Sequence, residues 1–255
     1  MTDLISREIF DLPGGEACFR ITMTAPRANA LEPGLLAALH AAFDALERSG
    51  AQKALICGGR NFSTGGDVGR FFEAAQEGRV EDYARAVVPA LQDLIARMIA
   101  MPVVIATALC GAATGGSAGL LFGSDLAVAA PGAFVQPYYG TMGFAPDGGW
   151  TVVLPELIGT AQARGWLMAN RRHEVEELLR LGLVQAVDEA PETRALALLG
   201  AIETGSALAT KAILWNAPRR AALRAGLDAE TSAFLDLIGR QVTLSCMKQF
   251  LQPSG

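Results

Sequence analysis

The sequence predicts an α/β protein with a largely parallel sheet and a C-terminal helical region. Three observations predict it. Apolar, strand-length runs alternate with helix-length amphipathic segments up to about residue 190. Two of the strand-to-helix junctions are glycine turns, "FSTGGDV" and "CGAATGGSAG". From about residue 191 onward only helical patterning remains.

The alternating segments 7–12 and 17–23 predict an opening hairpin around Pro13-Gly14-Gly15. A helix follows over 33–49, with Pro33 in its first turn. "KALICG" (53–58) reads as a buried strand, and 61–68 as a loop entering a helix. A long helix over 81–100 stops at Met101-Pro102, because the residue before proline disfavours helical backbone. "VVIATA" (103–108) is a strand, 114–123 a glycine turn into a helix, 125–130 a short strand, and 133–139 extended. Helices are expected over 148–158, 160–170 and 174–181, then a strand over 183–187. The remaining expected helices are 192–203, 207–216 and 219–250. The domain organisation expected is a core over 1–190 and a helical region over 191–255.

With 255 residues, 51% of them hydrophobic, the chain can bury a large core. A formal charge of −5 leaves no global basic footprint, so nucleic acid is not expected as a partner. Arg219, Arg220 and Arg224 form only a local cluster, read as a solvated helix face. Cys18, Cys57, Cys110 and Cys246 lack CxxC spacing and read as reduced thiols, pointing to a cytoplasmic protein. The first residues carry acids and no apolar stretch typical of a secretion signal. The longest apolar run, 102–123, is broken by "GAATGGSAG" and fits a buried strand–turn–helix better than a membrane span. His40 and His173 are the two histidines, each within an amphipathic or charged helical stretch. With no cluster at ligand spacing, no metal site is expected.

Neither glycine turn matches a phosphate-binding loop or a dinucleotide fingerprint. Helix N-termini expose backbone N–H groups, and glycine lets another group approach them closely. If the two turns met in space, one amide from each would form a two-donor pocket for an oxyanion. "MGFAPDGGW" (142–150) adds a carboxylate, Asp147, among apolar neighbours. It reads either as the N-cap of a following helix or as a proton carrier.

These stretches together resemble the crotonase (enoyl-CoA hydratase/isomerase) superfamily. "ALICGGRNFSTGGDV" is similar to that family's ALxxxGxGxxFxxGxD segment, and "MPVVIATALCGAATGGSAGLLFGSDLAVAA" to its KPVIAAVxGxxxGGGxxLxxxCDxxxA segment. "GFAPDGGWTVVLPELIG" resembles GxxPxxGGxxxLpxxxG, and "LRLGLVQAV" resembles ALxxGLVxxV, in family order over residues 16–190. The resemblance implies a crotonase-like spiral of ββα units with a C-terminal helical, oligomerising region. It also implies acyl-CoA thioester substrates, no cofactor beyond the coenzyme A of the substrate, and a homotrimer or hexamer. The family's two oxyanion amides map onto Gly66 and Gly116. Substrate contacts map onto the loop "PRANAL" (Arg27, Ala28, Ala30), the backbone at Thr64 and Gly65 beside Asp67, and Phe234 in the tail. Tyr138, Tyr139 and Trp150 are further candidates for acyl contact. Arg27 and Arg70 are candidate phosphate partners.

The chain departs from the family where hydratases carry two glutamates: Gly119 and Tyr139 stand there instead. Hydration needs one group to activate water and another to deliver a proton. Asp147 is the remaining motif-matched acid; dienoyl-CoA isomerases and ring-epoxide isomerases of this family carry a functional Asp in this "PD" position. One carboxylate suits an isomerase, which removes a proton and returns it elsewhere. Burial near Phe144, Pro146 and Trp150 is expected to raise its pKa. The alternatives are a hydratase, an Asp-nucleophile hydrolase or dehalogenase of CoA thioesters, or a non-catalytic acyl-CoA-binding scaffold.

Overall fold

The computed structural model describes residues 3–252; residues 1–2 of the expected core and 253–255 of the expected helical region lie outside the described residues. Among the described residues, nine strands form in chain order. They are β1 (Ile5–Asp11), β2 (Ala17–Met23), β3 (Lys53–Gly58), β4 (Val104–Leu109), β5 (Ala112–Thr114), β6 (Leu126–Ala129), β7 (Phe134–Gln136), β8 (His173–Glu174) and β9 (Ala186–Val187). The main sheet runs β1-β2-β3-β4-β6-β9, antiparallel only at the β1–β2 hairpin. A small second sheet, β5-β7-β8, stands beside it.

The central strands β3, β4 and β6 are largely apolar, with Lys53 and Thr107 their polar residues, because both faces of the sheet are covered. In β3, Ala54 and Ile56 face one core while Leu55 and Cys57 face the other. The first core is filled by α1 (Pro33–Ser49), α2 (Val68–Gln76) and α3 (Val80–Ala100), with α4 (Ala118–Phe122) after a 3-10 turn at Gly115–Ser117. Short helices α5 (Tyr139–Met142), α6 (Leu154–Ile158), α7 (Thr160–Ala169) and α8 (Val175–Arg180) follow. The chain ends in α9 (Pro191–Ala201), α10 (Thr204–Leu214), α11 (Ala217–Ile238) and α12 (Gln241–Phe250). Ala195 and Leu199 of α9 cover the second face of the sheet, while α11 packs along α3. Buried Lys211 of α10 pins the entry to β4, donating to the carbonyls of Met98 and Val103 and to Asp125 Oδ2 at 2.8–2.9 Å. Among the described residues, no single helix is long and apolar enough to cross a membrane.

Four local expectations need correction. The stretch 148–153 is not helical: Gly148 and Gly149 take φ of +65° and +84°, and helix begins only at Leu154. The expected 219–250 helix breaks at Gly239-Arg240 into α11 and α12, with Arg240 extended at ψ 143°. The extended stretch 133–139 ends at Gln136; Tyr138 turns the chain with φ +64° and α5 starts at Tyr139. The strand expected over 183–187 is only β9.

Candidate active site

The two glycine turns meet. Ser63 N donates to Ala112 O at 2.9 Å, and Thr114 N returns to Ser63 O at 3.2 Å, extending the small sheet by a bridge. Gly65, at φ +77°, approaches so closely that a Cβ there would lie 2.4 Å from Thr114 O. Only glycine fits that position. Buried Ser117 locks the second turn by donating to Thr114 O at 2.8 Å. Among the described residues, neither Gly66 N nor Gly116 N donates to a backbone acceptor of the protein.

A lip closes over the first turn. Arg27, Ala28 and Asn29 all adopt left-handed backbone, with φ of 54°, 53° and 58°. Their carbonyls accept from Thr64 Oγ1 (3.1 Å), Thr64 N (3.1 Å) and Ser63 Oγ (2.7 Å) respectively. Asp67 caps α2, accepting from Arg70 N at 3.0 Å, and its other oxygen sits 2.8 Å from Arg27 Nε. Arg70 itself pairs with Glu73 and Glu32.

Asp147 sits behind the second turn, 7% exposed. A Cβ on Gly116 would lie 2.7 Å from Asp147 Oδ1, so the carboxylate packs against that glycine. Tyr139, equally buried, donates to Oδ1 at 2.5 Å. Burial raises the Asp147 pKa to about 6, against the Tyr139 hydrogen bond, which favours the ionised form. Burial and the neighbouring carboxylate hold the Tyr139 phenol well above its usual range. The expected capping role is overturned: a left-handed turn, not a helix, follows Asp147.

The geometry also accounts for the missing glutamates. A Cβ on Gly119 would meet Gly148 O at 2.2 Å and Ile95 Cδ1 at 2.4 Å. The turn that carries Asp147 occupies the space a side chain at 119 would need. At the second position, the Tyr139 hydroxyl is spent on Asp147.

One cleft of about 350 Å³ gathers most of the expected residues. Gly66, Gly116, Asp147, Arg27, Ala30, Thr64, Gly65, Asp67, Tyr138, Tyr139 and Phe234 all line it. Three expected contacts do not: Arg70, turned to Glu32 and Glu73, and Ala28 and Trp150. Ala28 serves the lip through its carbonyl. Trp150 is fully buried behind the cleft, because the Gly148-Gly149 turn swings it inward; its indole N–H donates to Gly115 O at 2.8 Å. Sequence reading missed the aromatic wall made by Phe71 and Phe144 with Phe234, whose ring centroids lie 5.1–6.0 Å apart. It also missed Glu230, a buried acid of α11 hydrogen-bonded to the turn after Asp147. The available signal was its place on an apolar stripe with Leu223, Leu227 and Phe234.

Comparison with known proteins agrees with this geometry. A family model described as Enoyl-CoA hydratase/isomerase matches residues 14–251. A "Probable enoyl-CoA hydratase" of Rhodobacter capsulatus is 32% identical over 171 residues, covering 64% of this chain and 62% of that one. The cyclohexa-1,5-dienecarbonyl-CoA hydratase of Thauera aromatica is 29% identical over 180 residues, covering 69% and 66%. The match thus spans somewhat less than two thirds of either relative. Among solved structures, an enoyl-CoA hydratase from Bacillus halodurans superposes with a TM-score of 0.85 at 22% identity, covering 97% of this chain and all of that one. An enoyl-CoA isomerase of Mycobacterium tuberculosis superposes with a TM-score of 0.77 at 23% identity, covering 92% and 100%. At those identities the structures speak for the fold. The chain belongs to the enoyl-CoA hydratase/isomerase family, the crotonase superfamily.

Proposed function

We propose that this chain is an acyl-CoA isomerase that shifts a double bond through a thioester enolate, with Asp147 as its single acid/base. The contact between Asp147 Oδ1 and Gly116 carries this reading. The thioester carbonyl oxygen would accept hydrogen bonds from Gly66 N and Gly116 N. That clamp stabilises negative charge on oxygen and so acidifies the α-carbon; one such donor is typically worth about 100- to 1000-fold in rate. Asp147, ionised at neutral pH with a pKa of about 6, takes the α-proton. The electrons of that C–H bond move into a dienolate, and the protonated Asp147 returns the proton at the γ-carbon. A 3-enoyl thioester becomes a 2-enoyl thioester, and the enzyme ends as it began. The apolar aromatic wall keeps water from competing for the proton.

A hydratase is the second reading, favoured by the names of the two curated relatives. Against it stands the filled space at Gly119, which leaves one carboxylate where addition of water calls for two groups.

The test is a panel of 3-enoyl-, 2-enoyl- and aryl-CoA thioesters incubated in heavy water with the parent and with Asp147→Asn. Bond migration with deuterium uptake, lost in the variant, is the expected result. A product heavier by one water would favour the hydratase. Tight CoA binding with no exchange in either protein would leave only a scaffold.

A further inference from the structure

Glu230 is a buried acid that the reaction above does not use. It is 4% exposed, in the middle of α11. Its Oε2 accepts from Gly149 N at 2.8 Å, while Oε1 accepts from Thr151 N at 2.7 Å and from the Thr151 hydroxyl at 2.6 Å. The consecutive left-handed residues Gly148 and Gly149 aim these amides at one point. Such a concave set of N–H groups is a nest for an anion. Here the anion is supplied by a residue 81 positions away along the chain.

All three partners are uncharged. A carboxylate buried without a cation costs several kcal/mol of desolvation, so stability alone does not call for it. Its position suggests what it does. The turn it grips has two glycines in succession, the backbone with the most freedom to drift. That same turn packs Gly148 against Gly116, where a Cβ on Gly148 would lie 2.5 Å from Gly116 O. Asp147 is the residue just before it. Facing Glu230 across the turn, the titratable groups are Asp147 and Tyr139. Arg224 and Asp228 of its own helix pair at the surface with each other, and Arg224 also pairs with Asp93 of α3.

We propose that Glu230 is a positioning residue: it locks the 147–151 turn so that the Asp147 carboxylate stays against Gly116. This rests on the reading of Asp147 as the acid/base. Glu230→Gln replaces one acceptor oxygen with an NH2 that must face an N–H donor. Thr151→Val removes only the hydroxyl bond and keeps both backbone amides that Glu230 accepts from. Leu223→Ala is the control, a buried change on the same helix without a hydrogen bond to the turn.

The experiment titrates the Asp147 carboxyl by 13C NMR in each protein, and measures α-proton exchange of butyryl-CoA in heavy water. Glu230→Gln should lower kcat for exchange roughly 10- to 100-fold, as expected for misplacement of a reacting group by about 1 Å. KM should stay within about threefold, because the loss falls on the transition state rather than on binding. The Asp147 titration should move down from about 6 toward the ordinary aspartate value of about 4, as the carboxyl leaves its dry contact. Thr151→Val should shift both in the same direction by less, and it decides the question should Glu230→Gln fail to fold. Leu223→Ala should lower Tm without moving the titration. An unchanged titration and kcat in Glu230→Gln would overturn the proposal, as would an equal shift in Leu223→Ala. Undiminished exchange in Asp147→Asn would instead sink the acid/base reading, and the NMR titration would then judge Glu230 by itself.

Discussion

The hydroxyl of Tyr139 lies 2.5 Å from Oδ1 of Asp147 and 3.0 Å from the backbone carbonyl of the same residue. A phenol has one proton to donate. While Asp147 is ionised, that proton points to Oδ1. Once Asp147 is protonated, the carboxyl can donate to the phenol oxygen, and the phenol can turn to the carbonyl. Both charge states keep a hydrogen bond in a site with little water, where an unsatisfied polar group would cost about 1–3 kcal/mol.

Tyr139→Phe should therefore move the acid limb of the pH–rate profile upward. The lost hydrogen bond favours the ionised carboxylate, so its removal raises the Asp147 pKa above about 6. At pH 6.5 less of the enzyme is then in the basic form. Rate profiles over pH 5–9 check this; an acid limb that stays in place or moves down contradicts the pairing.

Asp147→Asn should stabilise the protein at neutral pH while abolishing activity. The folded-state pKa of Asp147 is raised from 3.8 to about 6, so the neutral form is the one the fold prefers. The corresponding stability is present below pH 3.8 and is lost as pH rises through about 6. Removing the charge recovers up to about 3 kcal/mol at pH 7. Glu230, raised to about 7, has the same sign and leaves a residual pH dependence in the variant. Urea melts of both proteins at pH 5 and pH 7.5 measure the difference, which should be largest at the higher pH.

Gly119→Glu restores the residue type of the two-glutamate hydratases, yet it should not create one. Its Cβ must displace the Gly148 carbonyl, 2.2 Å away, and with it the Asp147 turn. Overpacking of a dense core typically costs about 1–3 kcal/mol. We expect a lower Tm and loss of α-proton exchange together. A variant that adds water to crotonyl-CoA with an unchanged Tm would refute the steric argument.

Much of this architecture was legible because local patterns and local chemistry coincide. β3 and β4 read as buried strands from "KALICG" and "VVIATA", and α1 from Pro33 through Gly50 with its apolar stripe. The glycine turns and Asp147 were legible as motifs, and the structure gathers them in one cleft. What was not legible depended on partners distant in sequence. "PDGGW" resembles the start of a helix, and only the docking of Gly148 on Gly116 makes it a left-handed turn. Trp150 looked like an acyl contact because the direction of its side chain depends on that turn. Glu230 was hidden in a stretch that read simply as helix.

The lip over the cleft draws its support from outside its own segment. Arg27, Ala28 and Asn29 hold three successive non-glycine residues in left-handed backbone, a conformation that costs about 1–2 kcal/mol per residue. No local preference sustains such a run. It is held by the side chains of Ser63 and Thr64 and by Thr64 N, and Ser63 is in turn placed by its bridge to β5. The lip's backbone therefore takes its partners from the docked turns rather than from its own residues. The shape of the cleft mouth is thus tied to the docking of the two turns behind it.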